Sequence, residues 1–475
     1  MGRDLSSLRE SGRHIAVFTT ASLPWLTGTS VNATLRAAYL AKICKEAKVT
    51  IVLPWLGHSD QKEVYPHDIT FQSPDEQEAW VRNWVEERVH FKSDYKIRFY
   101  AARFAPFLGS VFPVGDLTKS IPAEEADVAV LEEPEHLTWF HHGQRWTDAF
   151  RHVVGVIHTN YVDYIRRGGG RAASLSVTYL NRRVCCIHCH KVIKLSDAVQ
   201  SLPRQVTCFV HGVPPPFLEV GQQASKPSQP GEPRFSKGAY FVGKLMWAKG
   251  FTEMLDMLSH HKRSTGEALP VDAFGSGPDA DQIRSKADEQ ELQMTFPGRQ
   301  DHLDDSIRSY RVLVNPSTSD VVATTSCEAL AMGKWIVCAE HPSNQFFKAF
   351  QNALIYKDEA EFSQHLAHAM ANDPHPMSEE DIGRLSWEQA TERFLVAAQI
   401  TPKEWPGGLG AFNDTIQWHL YNAGIGLEVL RKAVGAGQNT GQQPESVKGW
   451  DPEGYERLKN GEYHQRLGYV EPRLL

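Results

Sequence analysis

The stretch NPSTSDVVATTSCEALAMGK, residues 315–334, follows one apolar run, VLV (312–314), and precedes another, WIVCA (335–339). Two such runs joined by a small-residue loop and a short helix are the repeating unit of a parallel α/β sheet. The spacing predicts a helix that carries Glu328 in its first turn and stops at Gly333. Asp320, in the loop, stands eight residues before Glu328. A loop of this kind can wrap a sugar nucleotide, its acids gripping hydroxyls and its helix N-terminus offering N–H groups to phosphate. The same letters also spell a capping box, Thr325-Ser326-Cys327-Glu328, in which Glu328 closes its own helix. Both readings stand at this point.

Working outward, the same pattern recurs at AYFVGKL (239–245), VDAFG (271–275), MTFPG (294–298), RVLVNP (311–316), WIVCAE (335–340) and ALIYK (353–357). An earlier set runs through IAVFTTA (15–21), VTIVLP (49–54), IRFYAARF (97–104), DVAVLEE (127–133), VVGVIHT (153–159), KVIKLS (191–196) and VTCFVHG (206–212). Strands alternating with helical stretches predict two doubly wound, Rossmann-like α/β domains facing across a cleft. The expected division is an N-terminal domain over 1–215, a Pro- and Gln-rich linker over 216–236 and a second domain over 237–384. LSWEQATERFLVAAQ (385–399) opens helices that cross back to the first domain through 434, and 435–475 reads as a flexible tail.

Composition narrows the function. A chain of 475 residues carries two or more domains. The net charge of −7 argues against nucleic acid as a partner. No run approaches the roughly 20 apolar residues of a membrane-spanning helix. Between 151 and 194, eight Lys/Arg, Arg166 and Arg167 among them, face one acid, Asp163, a surface suited to anionic lipid. Seven cysteines read as reduced thiols. The cluster Cys185-Cys186-Ile187-His188-Cys189-His190 has no second ligand pair at zinc spacing, so no metal is assigned. The N-terminus has no signal-peptide core, although Gly2 begins a loose myristoylation pattern.

Other positions carry chemistry. Lys244 and Lys249, five apart and followed by Gly250, put fixed positive charge where a leaving diphosphate develops negative charge; two solvated lysines beside a turn would look the same. FGSGPDA (274–280), with Gly275 and Gly277, is a weak dinucleotide fingerprint. Asn344, in Ser343-Asn344-Gln345, either meets a sugar hydroxyl or caps a helix. Gly28-Thr29-Ser30 lies at a strand-to-helix turn that attracts phosphate. His158 ends a buried strand at the cleft edge. Glu132, Glu133, Glu135 and His136 follow another, and the sequence does not separate which of them orients an acceptor.

These motifs carry a resemblance. GKLMWAKG (243–250), GSGP (275–278), HGV (211–213) and the Asp320-to-Glu328 spacing resemble retaining glycosyltransferases of the GT-B type in family four, with Asp320 where glutamate and Lys244 where arginine is usual. PWLTGTSVN (24–32), FPVGD (112–116), LEEPEHLTWFHHG (131–143), VIHTNY (156–161), HCHKVIKLS (188–196) and VHGV (210–213) are similar to the plant and algal digalactosyldiacylglycerol synthase family, in its shorter form. That resemblance implies transfer of galactose from UDP-galactose to the 6-hydroxyl of monogalactosyldiacylglycerol, with retention and without a required cofactor. It implies that Asp320 holds donor-sugar hydroxyls and Glu328 the ribose, and that Lys244 and Lys249 meet the diphosphate. Gly28 and Thr29 close over it, His158 lies by the transferred sugar, and Gly275, Gly277, Thr324 and Thr325 complete the donor set. His158, Lys249 and Asp320 are the catalytic candidates.

It further implies a peripheral protein of the chloroplast outer envelope, its active site on the cytosolic side. Glu135 and His136 are acceptor candidates; Phe107 and Leu108, in the apolar loop 104–115, join Arg166 and Arg167 as membrane candidates. Trp80 and Trp84, at i and i+4, are expected in the core. The readings that compete are a family-four enzyme with another donor or acceptor, a dinucleotide-dependent oxidoreductase on Gly275 and Gly277, and a sugar-nucleotide carrier without turnover.

Overall fold

The computed structural model describes residues 4–106, 109–139, 143–225 and 234–425. Two sheets organise the chain. The first contains β1 (His14–Phe18), β2 (Lys48–Leu56), β3 (Lys96–Ala105), β4 (Ser110–Pro113), β5 (Val128–Glu132), β6 (His152–Ile157), β7 (Lys191–Lys194) and β8 (Gln205–Thr207). Its spatial order is β4-β3-β2-β1-β5-β6-β7-β8, parallel except for the β3–β4 pair. The second contains β9 (Lys237–Val242), β10 (Val271–Phe274), β11 (Met294–Gly298), β12 (Tyr310–Asn315), β13 (Trp335–Ala339) and β14 (Ala353–Tyr356), in the order β11-β10-β9-β12-β13-β14. Fully buried strands such as VAVLE (128–132) and WIVCA (335–339) are apolar without alternation because helices cover both faces of a parallel sheet. The fold is therefore the pair of doubly wound α/β domains that the alternation predicted.

Each sheet reverses its winding once, between β1 and β5 and between β9 and β12. Crevices open beyond the carboxyl ends of strands at such points. The segments that leave these four strands are 19–29, 133–136, 243–249 and 315–320, and every one contributes to the cleft between the domains.

Several expectations are revised. The apolar loop 104–115 is largely a hairpin: Phe104 pairs with Val111 and Ala105 with Ser110, and Val111 and Phe112 are buried. Phe107 and Leu108 fall outside the described residues. VTCFVHG forms a strand only over Gln205–Thr207. The stretch read as linker starts with a helix, Pro215–Ala224, because proline suits the first helical turn and Phe217 finds a buried seat. That helix packs so closely on the second domain that a Cβ at Gly221 would stand 2.0 Å from the Ala331 carbonyl oxygen. Trp80 and Trp84 are half-buried against the first-domain core.

The helix Trp387–Ala397 returns to the first domain, burying Trp387, Ala390, Phe394 and Leu395 in its core. The Arg36 guanidinium lies 4.5 Å from the centre of the Phe394 ring. A Cβ at Gly212 would meet the Trp387 backbone at 2.4 Å, so glycine is what lets this helix start there. The next helix, Gly408–Ile425, continues beside the long helix Tyr161–His188.

Candidate active site

Two adjoining cavities lie between the domains, one of about 330 Å³ and one of about 270 Å³. Thr27, Gly28, Asn32, His211 and Thr324 border both. Lys244, Lys249 and Asp320 form the second-domain wall of the larger cavity; Glu328 lies in the smaller.

On that second-domain wall, the turn after β9 is shaped by two glycines from the turn after β10. A side chain at Gly275 would put Cβ 1.8 Å from the Gly243 oxygen, and at Gly277 2.1 Å from the Leu245 oxygen. Neither glycine lines either of these two cavities: both were expected to touch the donor, and instead their Cα atoms press on the backbone that presents Lys244. Close backbone packing thus accounts for glycine at both positions without a dinucleotide. Lys249 donates to Asp320, joining the two groups nominated for diphosphate and sugar in one ion pair. Burial, then Lys249 and Arg299, lower the pKa of Lys244. Fixed cations this close repel one another until an anion arrives between them.

The capping-box reading of Glu328 fails. The helix spans Thr324–Ala331, its N-cap is Ala323, and no side chain closes it. Glu328 sits one residue beyond the first turn and accepts from His302 Nδ1 at 2.7 Å, while His302 Nε2 lies 2.8 Å from the Tyr240 hydroxyl. Its carboxylate is thus aimed across the smaller cavity by a side-chain chain, and Thr324 brings the helix N-terminus to both. Thr325 lines neither cavity. Asn344 is buried and donates to the Ala339 carbonyl at 2.9 Å, while its Oδ1 has no hydrogen-bond partner among the described residues; it lines neither cavity.

On the first-domain wall, Thr27 caps the helix Gly28–Ile43 in a reciprocal box with Ser30, placing the first N–H groups at the cleft. A Cβ at Gly28 would meet only Asn32 Nδ2, at 3.8 Å, so this glycine leaves open space rather than relieving a clash. His158 is fixed by a buried chain: its Nε2 is bonded to Glu132, and Glu132 accepts from Arg36, which also donates to the Val210 carbonyl at 3.1 Å. Burial alone would raise the Glu132 carboxyl; Arg36 and His158 instead pull it down to about 2.

Glu133 is the acid that reaches the cavity. It adopts φ 66°, a left-handed conformation uncommon for glutamate, and turns its carboxylate toward Thr20, Thr159 and Tyr161. The Tyr161 hydroxyl donates to it at 3.0 Å, and His136 Nδ1 stands 3.6 Å away. Burial opposes the charge, but His136, His158 and Thr159 hold this carboxyl below its ordinary range. Glu135, proposed for the acceptor, lines neither cavity: it is buried near Cys185 and Cys189, and burial together with Glu133 pushes its carboxyl well above the usual value. Two acids only two residues apart are thus shifted in opposite directions by what surrounds them.

His211 was quoted only within a motif, yet it borders both cavities, is 3% exposed, and has no hydrogen-bond partner at either ring nitrogen. Buried polar atoms without partners are rare and point toward a ligand. Burial, His158, Arg36 and Arg393 keep it neutral. Tyr161 was likewise quoted only within a motif, and Arg36 and His302 were missed. Arg166 is on the helix Tyr161–His188, paired with Asp163 and away from the cleft lining; the Arg167 side chain is outside the described residues.

The family Glycosyl transferases group 1 matches residues 223–386. The chain is 49% identical over 392 residues to digalactosyldiacylglycerol synthase 1, chloroplastic, of Glycine max, covering 82% of this chain and 50% of that protein. It is 50% identical over 390 residues to digalactosyldiacylglycerol synthase 2, chloroplastic, of Arabidopsis thaliana, 82% of each chain. With the synthase 2 of Glycine max it shares 46% identity over 449 residues, 92% of this chain and 96% of the relative. The chain spans about half the length of the synthase 1 relatives and most of the synthase 2 relatives. Among solved structures, a lipopolysaccharide outer core galactosyltransferase superposes with a TM-score of 0.47 at 13% identity, covering 81% of this chain and 98% of that one. At these identities and coverages, the chain belongs to the digalactosyldiacylglycerol synthase family.

Proposed function

We propose that the cleft transfers galactose from UDP-galactose to the 6-hydroxyl of monogalactosyldiacylglycerol, with retention of configuration, at the chloroplast outer envelope. The observation that carries this reading is the division of the cleft. Lys244 and Lys249 stand on one wall, and Glu133, His136, His158 and Tyr161 stand on the other. A glycosyl donor needs positive charge at its departing diphosphate, whereas an acceptor alcohol needs an acceptor for its hydroxyl hydrogen.

In the proposed reaction the bond from the anomeric carbon to the UDP oxygen breaks. The acceptor oxygen bonds to the same face, and its proton passes to the leaving phosphate oxygen. Lys244 and Lys249 stabilise the departing charge, and the diphosphate competes with Asp320 for Lys249, freeing Asp320 for the sugar. Glu328, aimed by His302, takes the ribose; Thr27, Gly28 and Thr324 border the phosphates. Glu133 orients the acceptor hydroxyl, and His158 lies beside the transferred sugar. The homologues bear names ending in "chloroplastic", and among the described residues no helix is long and apolar enough to cross a membrane. A peripheral placement on the cytosolic side of the outer envelope fits both. A panel of sugar nucleotides and lipid acceptors, with linkage analysis of the product, tests the reading. An α-linked digalactolipid from UDP-galactose is expected; a β linkage or preference for another donor would overturn it.

A further inference from the structure

The helix Gly408–Ile425 is turned inside out. Leu409, Phe412, Ile416 and Leu420 follow one another at helical spacings of three, four and four, and they are 89%, 65%, 43% and 61% exposed. At 100° per residue they share a single stripe. The opposite face binds the body of the protein. Asp414, the helix's one carboxylate, is 2% exposed, paired with Arg204 and approached by the Cys186 thiol at 3.2 Å. The rings of Trp418 and Tyr421 pack edge-on against His188, with centroids 5.5 and 5.7 Å from that of its imidazole. A surface helix ordinarily hides its apolar face and shows its charges; this one hides its acid and shows leucine and phenylalanine to the outside.

Its surroundings have the complementary charge. The neighbouring helix Tyr161–His188 exposes Arg166, Arg171 and Arg182, and its acid Asp163 is buried. That helix also exposes Leu175 and Tyr179, 69% and 59%. Apolar side chains among arginines, with no lysine, arginine or glutamate on the apolar helix itself, suit an anionic bilayer interface. The helix is anchored close to the cleft as well: the Tyr421 hydroxyl donates to the Thr138 carbonyl, two residues from His136 in the cleft wall.

We propose that Gly408–Ile425 seats the enzyme on a bilayer containing anionic lipid, with the Leu409-Phe412-Ile416-Leu420 stripe entering the headgroup region. Resting on the lipid-acceptor reading above, this places the bilayer next to the acceptor wall rather than at the 104–115 hairpin. Phe412→Glu with Leu420→Glu tests it, because both side chains point away from the core and the fold should survive, as circular dichroism would verify. Sedimentation with phosphatidylcholine vesicles containing phosphatidylglycerol is expected to show binding by the full chain, reduced at least about tenfold by the double substitution. Transfer to monogalactosyldiacylglycerol in those vesicles should fall with it, while transfer to the same lipid in detergent micelles stays within about twofold, since soluble delivery needs no docking. Unchanged vesicle binding would overturn the proposal. So would a shift from dimer to monomer by light scattering without loss of vesicle binding, which would assign the stripe to a second copy. Vesicle binding lost in the variant, with no transfer in micelles by either protein, would keep the docking surface and refute the proposed reaction.

Discussion

Lys249 and Asp320 meet in one ion pair, and that contact sets the first prediction. Lys249→Ala should lower turnover by about 10²–10³, the loss typical of one preorganised charge-stabilising donor, and weaken UDP binding in calorimetry. Turnover near wild type would remove Lys249 from the diphosphate. Asp320→Glu lengthens the acid by one methylene and should reduce the preference for UDP-galactose over other UDP-hexoses in competition assays; an unchanged preference would take Asp320 away from the sugar. The buried chain Arg36–Glu132–His158 makes a pH prediction. Because the folded Glu132 value is depressed from 4.5 to about 2, its contribution is present above the unfolded value and disappears as pH falls between those limits. About 3 kcal/mol should go in that window. Glu132→Gln should be less stable at neutral pH, leaving Arg36 buried without its partner, and show a flatter acid limb in urea titrations. A parallel limb would place the acid sensitivity elsewhere.

Two glycines at the same cleft separate packing from binding at the scale of elements. Gly212 abuts the first residue of the returning helix, whereas Gly28 faces open space. Gly212→Ala should lower the melting temperature, on the order of 3 kcal/mol from overpacking, with little direct effect on UDP affinity. Gly28→Val should leave melting nearly unchanged but weaken UDP binding about tenfold by filling the phosphate approach. Differential scanning calorimetry beside isothermal titration checks both, and a reversed pattern would contradict the assignment. These elements also show how far the sequence could be read. Apolar runs such as VAVLE announce central strands because burial on both faces leaves one choice. The 104–115 hairpin was hidden because Pro106 and Gly109 break the alternation, and the helix 215–224 because its prolines and glutamines resemble a linker. In the site, charge and spacing marked Lys244, Lys249, Asp320 and Glu328. Nothing in Glu132-Glu133-Pro134-Glu135 revealed which acid reaches the cleft, since a single positive φ decides it. His211 was equally hard to single out, because an unpartnered buried ring shows only once the chain is folded.

For the whole molecule, two sheets face one cleft, joined by a helix that follows the second domain in sequence and packs in the core of the first. Gly28 and Thr324 come from different domains and border the same two cavities, so a nucleotide bound there touches both. The wall proposed for the acceptor belongs to the first domain, near the helix Gly408–Ile425 through the Tyr421–Thr138 contact. In the proposed reaction, donor and lipid therefore reach the cleft from separate sides. The most direct measurement supplies the full chain with UDP-[¹⁴C]galactose and monogalactosyldiacylglycerol in micelles and follows label in the lipid product. The account predicts label in an α-linked digalactolipid, abolished by Glu133→Ala with UDP affinity preserved. Absence of label in that product from the wild-type chain, with UDP-galactose bound, would contradict it.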